Sequence, residues 1–448
     1  MPSNRTLALL AHPESVGRVP DVARILPLAP LVPVPVSRLL VRRPEDLLTA
    51  EDTRAVEGRA RELAADWWRG SPRSSFTWRG QNLAECFSSE LVFVARDVIK
   101  ANRILDRALE QTPAEALATD VPPVRGTFPP YPYLTAIGSL VEFVANASRR
   151  SIQRLWTATQ ASRQPRTSRL VHAYATVAAR QAIARMRSGH FVVGVGPFPE
   201  SYGPVARQWS NGNGYTVVVS SPHAPIRASP SAGLYFAPLD AFMTSSDREQ
   251  IGAFVETAVH SMAPRPPRTW TSDGDRPFLA VFFAEVQRRL RQQLPELASL
   301  GIAFERGLDR ADRLMLMETS SPISKAAICF GRSRGIPIVA IQHGVIADPD
   351  SYRETDADRV AAWGPLDASW FAENLPGPVR TSPTGNPRYD RLVIPQNRDA
   401  RRRLRNISRG ARVLLFASAP FGHLNAAESL WDYDALQSIV LEGVSRIP

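Results

Sequence analysis

Four apolar residues in a row, Ile338-Val339-Ala340-Ile341, run straight into Gln342-His343-Gly344. A short run that is apolar at every position, with helical patterns on either side, reads as a strand buried on both faces. Such strands belong to parallel sheets covered by helices. Three more runs share this texture: Phe191 to Gly196 (FVVGVG), Tyr215 to Ser220 (YTVVVS) and Arg313 to Met317 (RLMLM). Helical patterns fit between them, notably Phe278 to Leu294 and Pro322 to Arg334. Strands alternating with helices predict a parallel sheet joined by right-handed crossovers. In open sheets of that kind, ligands sit at the carboxyl ends of the strands. A histidine between an amide and a glycine at such an end can face a cleft.

At 448 residues the chain exceeds one ordinary domain, and two or three units are expected. The expected division is an N-terminal α/β segment (1–130), a helical insertion (131–189), a Rossmann-like domain (190–397) and the incomplete start of a second one (398–448). Thr6 to Ala11 reads as the first strand, and His12-Pro13-Glu14 as its loop. Glu51 to Trp68 and Asn82 to Glu110 read as helices, the second with Leu83, Phe87, Leu91, Val94 and Val98 at helical spacing. Prolines between Pro122 and Pro132 break the chain. Leu134 to Trp156 then reads as a helix, apolar early and basic late, which fits either a core helix or an interfacial one. Past Arg398 to Arg405, a strand (Ala411 to Ala417), a loop (Ser418 to His423) and a helix (Tyr433 to Val444) read as the opening of a second α/β domain. About fifty residues are too few to complete one.

The net charge is +11, and it is carried by arginine, since Lys100 and Lys325 are the only lysines. Solvated helix faces, a surface held to an anionic membrane leaflet and nucleic-acid binding all fit a basic chain. The sequence has no RNP, zinc-finger or KH pattern, so nucleic acid is not expected as a partner. Cys86 and Cys329 lie in apolar, helix-like surroundings and read as reduced core residues. The start, MPSNRTLALLAHPES, is too soon polar for a signal peptide. No apolar run reaches the ~18 residues of a membrane span. The expectation is a cytoplasmic protein with peripheral contact at the inner face of the membrane.

The order of motifs carries a resemblance. After the strand ending in Gln342-His343-Gly344 come Ala357-x-x-Val360-Ala361-Ala362-Trp363-Gly364 and then Thr384-Gly385-Asn386-Pro387-Arg388-Tyr389-Asp390-Arg391-Leu392 before a fresh strand. From about Phe191 to Phe416 this resembles bacterial transferases of surface and capsular polysaccharide assembly, which have the two-Rossmann-domain architecture called GT-B. Kdo-transferase-like proteins and CDP-glycerol glycerophosphotransferases are the nearest in pattern. The fold this implies is α/β: a GT-B-like Rossmann domain with a parallel sheet, helical N-terminal additions and a truncated second Rossmann domain. The activity it implies is transfer of a sugar or polyol phosphate from a nucleotide-activated donor to a glycan or lipid-linked acceptor of the cell envelope. The nucleotide sugar is a substrate, and no cofactor is implied. UDP-sugar 2-epimerases share the architecture and a similar junction, so a 2-epimerase-like isomerase is an alternative. A truncated, non-catalytic protein that binds a glycan or a partner is another. In GT-B proteins the carboxyl-terminal domain holds most of the donor site, so the chain alone is expected to bind nucleotide weakly or not at all.

His343 is the first candidate for chemistry, because an imidazole can take a proton from an acceptor hydroxyl or contact donor phosphate near neutral pH. The bland reading is a histidine that closes a strand end. Gln342 and Gly344 flank it as donor contacts. Glu318-Thr319-Ser320-Ser321 follows a strand and opens a helix at Pro322, so Thr319, Ser320 and Ser321 can cap that helix or meet an anion at its start. Glu318 is a candidate base, or an acid that simply favours the positive end of that helix. Glu200, in an expected acceptor-facing loop from Pro197 to Gly203, competes with His343 for that role. Gly385, Asn386 and Arg388 form a turn that can approach a diphosphate, Arg388 in bidentate fashion. Ser418 and Gly422 can cradle phosphate after the next strand. Asp348-Pro349-Asp350 has the letters of a metal-binding DxD pair, but proline interrupts it. No metal site is expected, and leaving-group charge falls to arginines and helix starts.

Overall fold

A computed structural model describes residues 6–21, 23–28, 34–41, 44–121, 132–155, 169–187, 190–196, 199–211, 214–220, 229–262, 276–344, 346, 352, 355–375, 377–387, 402, 403, 406, 439 and 442, with the backbone alone at 13, 36, 132–135, 169–174, 176, 199–202 and 276. In chain order the elements are β1 (Thr6–Leu10), β2 (Arg24–Pro27), α1 (Ala50–Asp66), β3 (Thr77–Trp78), β4 (Gln81–Asn82), α2 (Ser88–Gln111), β5 (Ala116–Thr119), α3 (Pro132–Ala147), β6 (Ser151–Arg154) and α4 (Arg169–Met186). There follow β7 (Phe191–Val195), α5 (Pro199–Ser210), β8 (Tyr215–Ser220), β9 (Leu234–Pro238), α6 (Ser245–Ser261), α7 (Arg276–Arg306), β10 (Arg313–Leu316), α8 (Pro322–Arg332), β11 (Ile338–Ile341), β12 (Arg359–Ala362), α9 (Pro365–Asn374) and β13 (Arg380–Pro383).

The protein is α/β and built on two parallel sheets. The larger has seven strands in the order β13-β12-β11-β10-β7-β8-β9, and every neighbouring pair is parallel. The chain starts in the middle at β7, moves outward through β8 and β9, then returns to the other side of β7 with β10. That reversal makes a topological switch point between β7 and β10. Alternation along the strands splits the core. Phe191, Val193, Val195, Leu314, Leu316, Ile338 and Ala340 face α7 and α8. Val192, Val218, Phe236, Met315 and Ile341 face α4 and α5. Burial on both sides explains why β7 and β8 read as unbroken apolar runs.

The smaller sheet has four parallel strands, β2-β1-β5-β6. Leu7 and Leu9 point into the same buried cluster that lines one face of the larger sheet, so α2, α3 and α7 lie in one continuous core with both sheets. Ala8, Leu10, Ile25 and Ala118 fill a separate cluster on the far side. Polar ties cross the shared layer. Trp78 donates from its ring to the Ala298 carbonyl at 3.0 Å, and Arg289 pairs with Glu90 and, at 2.8 Å, with Glu285. Among the described residues, no helix is long and apolar enough to cross a membrane.

Several expectations need correction. The N-terminal α/β segment holds more strands than the one expected at its start, since β1, β2 and β5 pair there, and β6 adds a fourth from inside the expected helical insertion. The helix expected from Leu134 to Trp156 ends at Ala147. Arg149 takes a positive φ of 54°, and Ser151–Arg154 pairs with β5 as a strand. The apolar face of α3 (Ile137, Leu140, Val141, Ala145) is buried in the shared core, which decides for a core helix over an interfacial one. The helix expected from Asn82 opens as a 3-10 turn, Leu83–Phe87, because the Asn82 side chain accepts from the Ala84 amide and α2 begins only at Ser88. Helix α7 runs past Leu294 and through Pro295 to Arg306, held by the buried apolar residues Leu297, Leu300, Ile302 and Phe304. The expected strand Ala411 to Ala417 and helix Tyr433 to Val444 lie outside the described residues, but for Ile439 and Glu442.

Candidate functional site at the carboxyl edge

The carboxyl ends of β7, β10, β11 and β12 meet at and beside the switch point. Gly196 leaves β7 with a φ of 100°, which favours glycine. Three residues on, Pro199 opens α5. Glu200, Ser201 and Tyr202 were expected in a loop. The backbone puts them instead in the first turn of α5, where proline is pre-organised and an acidic residue suits the positive end of the helix dipole. Pro204 sits inside the same helix and costs it a backbone hydrogen bond.

Beyond β10, Glu318 folds back over the start of α8. Its carboxylate accepts from the amides of Ser320 (2.9 Å) and Ser321 (2.7 Å) and from the hydroxyls of Ser320 (3.2 Å), Ser324 (2.6 Å) and Ser321. Ser321 is the N-cap, and its hydroxyl also accepts from the Ser324 amide. The anion position that the sequence offers at this helix start is therefore filled by the chain's own carboxylate. Both of its oxygens are engaged by these donors, so the carboxylate is turned toward the helix start. Thr319 is buried, with its hydroxyl 2.9 Å from that of Thr355.

Beyond β11, Gln342 is 4% exposed and its amide braces two strand ends. Its Oε1 accepts from the Trp363 backbone at 2.7 Å and its Nε2 donates to the Gly344 carbonyl at 2.9 Å. The Trp363 ring donates back to the Gln342 carbonyl at 2.7 Å. The next residue, His343, is partly exposed. Its ring stacks on Tyr352 with centroids 5.5 Å apart and planes 27° apart. Tyr352 is buried, and its hydroxyl donates to the Gly344 carbonyl at 3.2 Å. Burial pushes the Tyr352 phenol up to about 12, so it stays protonated as a donor. Phe371 and Trp370 pack edge-on against Tyr352, at 5.5 Å and 6.5 Å. His343 is thus held by a brace on one side and an aromatic wall on the other.

Gly385 and Asn386 follow β13, and Gly385 has a φ of 81°. Gly385, Thr384 and Pro387 close one end of a groove of ≈ 490 Å³ along the α5 face of the sheet, lined by Val192, Val205, Trp209, Met315, Val339 and Ile341 among others. Neither His343 nor Glu318 lines it. The expected site residues therefore divide: Gln342, His343 and Gly344 form one cluster with Tyr352, Glu318 to Ser321 form the adjoining corner, and Gly385 belongs to the groove. Arg388, Ser418, Gly422 and the pair Asp348 and Asp350 lie outside the described residues. Among the described residues, no group of three or more His, Cys, Asp or Glu could hold a metal ion.

Sequence reasoning missed Tyr352 and Thr355, because neither sits in a patterned run. Their signal is spatial: they follow the Gln342-His343-Gly344 turn and return to its underside. Comparison of the chain with protein-family models, with curated proteins and with solved structures finds no match in any of the three.

Proposed function

We propose that the chain is a transferase of GT-B type that moves a sugar or a polyol phosphate from a nucleotide-activated donor to a surface or capsular glycan, or to its lipid-linked precursor. The observation that carries the reading is a partly exposed histidine on a braced turn at the carboxyl edge of a doubly wound parallel sheet, beside its switch point. In this reading His343 takes the proton of the acceptor hydroxyl as that oxygen attacks the donor. The bond to the nucleotide then breaks, and the departing phosphate carries negative charge. Glu318 already neutralises the start of α8, so we assign the leaving charge to the first turn of α5 and to Arg388, Ser418 and Gly422. Glu318 organises the corner and does not act as the base. The arginine-rich surface supports a workplace at the anionic inner leaflet.

Saturation-transfer NMR with CMP-, CDP-, UDP- and GDP-sugars reads weak binding and tests the proposal. The expected result is a signal from one nucleotide class, competed by its free nucleotide. His343→Ala should keep that signal and the melting temperature while abolishing turnover. Unchanged turnover in a folded His343→Ala variant contradicts the reading.

A further inference from the structure

The only two cysteines of the chain, Cys86 and Cys329, are far apart in sequence yet meet in the fold. Cys86 lies in the 3-10 turn Leu83–Phe87 that leads into α2, and it is 1% exposed. Cys329 lies in α8, partly exposed, packed on the same core cluster. The 3-10 turn packs directly on α8, and the two cysteines carry no disulfide. A second tie joins the same elements: Lys325 of α8 donates to the Ser88 hydroxyl at the start of α2, at 3.0 Å. We propose that Cys86 and Cys329 form a reversible dithiol–disulfide staple that locks α8, and with it the Glu318 corner of the carboxyl edge, to the N-terminal half of the protein.

The asymmetry of the pair suits the chemistry. The neighbouring Cys86 holds the Cys329 thiol below the ordinary range, while the presence of Cys329 and burial push Cys86 up. The more exposed sulfur is thus the one with more thiolate, as a first attacker needs to be. With a peroxide as oxidant, the Cys329 thiolate attacks one peroxide oxygen, forms a sulfenic acid and releases hydroxide. The Cys86 sulfur then attacks the Cys329 sulfur, the S–S bond forms and water leaves. Overall two thiols give up two electrons and two protons, and one peroxide becomes two waters. A dithiol reductant reverses the bond by exchange. Because the bond would close a loop between distant residues, it should also raise thermal stability.

The test treats the native chain with hydrogen peroxide, alkylates after denaturation and maps peptides by mass spectrometry. The expected result is loss of both alkylatable thiols together, a Cys86–Cys329 linked peptide, an upward shift in melting temperature and slower hydrogen exchange across 318–328, all reversed by dithiothreitol. Cys86→Ser should stop at a Cys329 sulfenic acid trapped by dimedone. Three results would overturn the proposal: both thiols still free after peroxide, a link between two copies of the chain, or a bridge that leaves exchange across 318–328 unchanged.

Discussion

Among the described residues, two histidines stand just past parallel strands, His12 after β1 and His343 after β11, and their surroundings differ in kind. At the end of β1, the Asp120 carboxylate accepts from the Ala11 and His12 amides, both at 2.8 Å. Asp120 is buried and spends both oxygens on backbone, while the His12 side chain stays exposed. At the end of β11 it is the neighbours of His343 that are fixed, by an amide brace and an aromatic stack, and they aim a partly exposed ring. One edge is sealed by a buried acid that serves the backbone. The other is built to hold a side chain in place. A histidine after a parallel strand says little by itself, and what packs beneath it decides what it can do.

The comparison can be broken by removing its supports in turn. Tyr352→Ala should have the largest effect. It deletes the wall behind His343 and leaves a hole against Trp370 and Phe371, at a cost of about 3–5 kcal/mol. Urea unfolding reads it, and a loss under 1 kcal/mol would mean that the stack is not formed. Next comes Asp120→Ala, which leaves two backbone amides without their carboxylate and should cost about 2–3 kcal/mol while sparing ligand binding at the other edge. A loss of nucleotide signal in that variant would erase the distinction between the edges.

A pH series separates the two halves in another way. Asp97 on α2 is buried, and desolvation raises its carboxyl to about 7 in spite of Lys100 and Arg96, with Glu57 adding to the rise. A carboxyl raised on folding binds its proton more tightly in the native state. Its stabilisation is therefore fully present below the ordinary value of 3.8 and is lost as pH rises toward 7. Melting temperature should fall over that window, and Asp97→Asn should flatten the fall. An unchanged slope would place the pH sensitivity elsewhere. The smallest effect is expected from Ser321→Ala, about 1 kcal/mol, because Glu318 still accepts from the remaining donors at the start of α8.

The parts legible in the sequence are those with a local signature. β7, β8, β10 and β11 stand out because both of their faces are buried, and α8 because a serine-proline start precedes its apolar stripe. β2, β5, β6, β12 and β13 have four residues each, too few to show a period, and β6 is mostly polar and exposed. β9 keeps five buried residues, but with Pro238 at its end it reads as loop. His343 is visible because a strand ends on it. Tyr352, Thr355 and Asp120 are not, because each acts on a residue distant in sequence. The role of Glu318 was invisible for a related reason: from the letters alone, an acid before a serine cap reads equally as a free base or as a helix-start anion.

The central claim is that the edge around His343 is the one that meets ligand. The most direct measurement is proton NMR of the seven histidines during titration with the nucleotide sugar that gives a saturation-transfer signal, with His343 and His12 assigned by substitution. The account predicts a saturable shift of the His343 ring resonances with His12 unmoved. Binding that leaves His343 unmoved, or that shifts His12 instead, would contradict it.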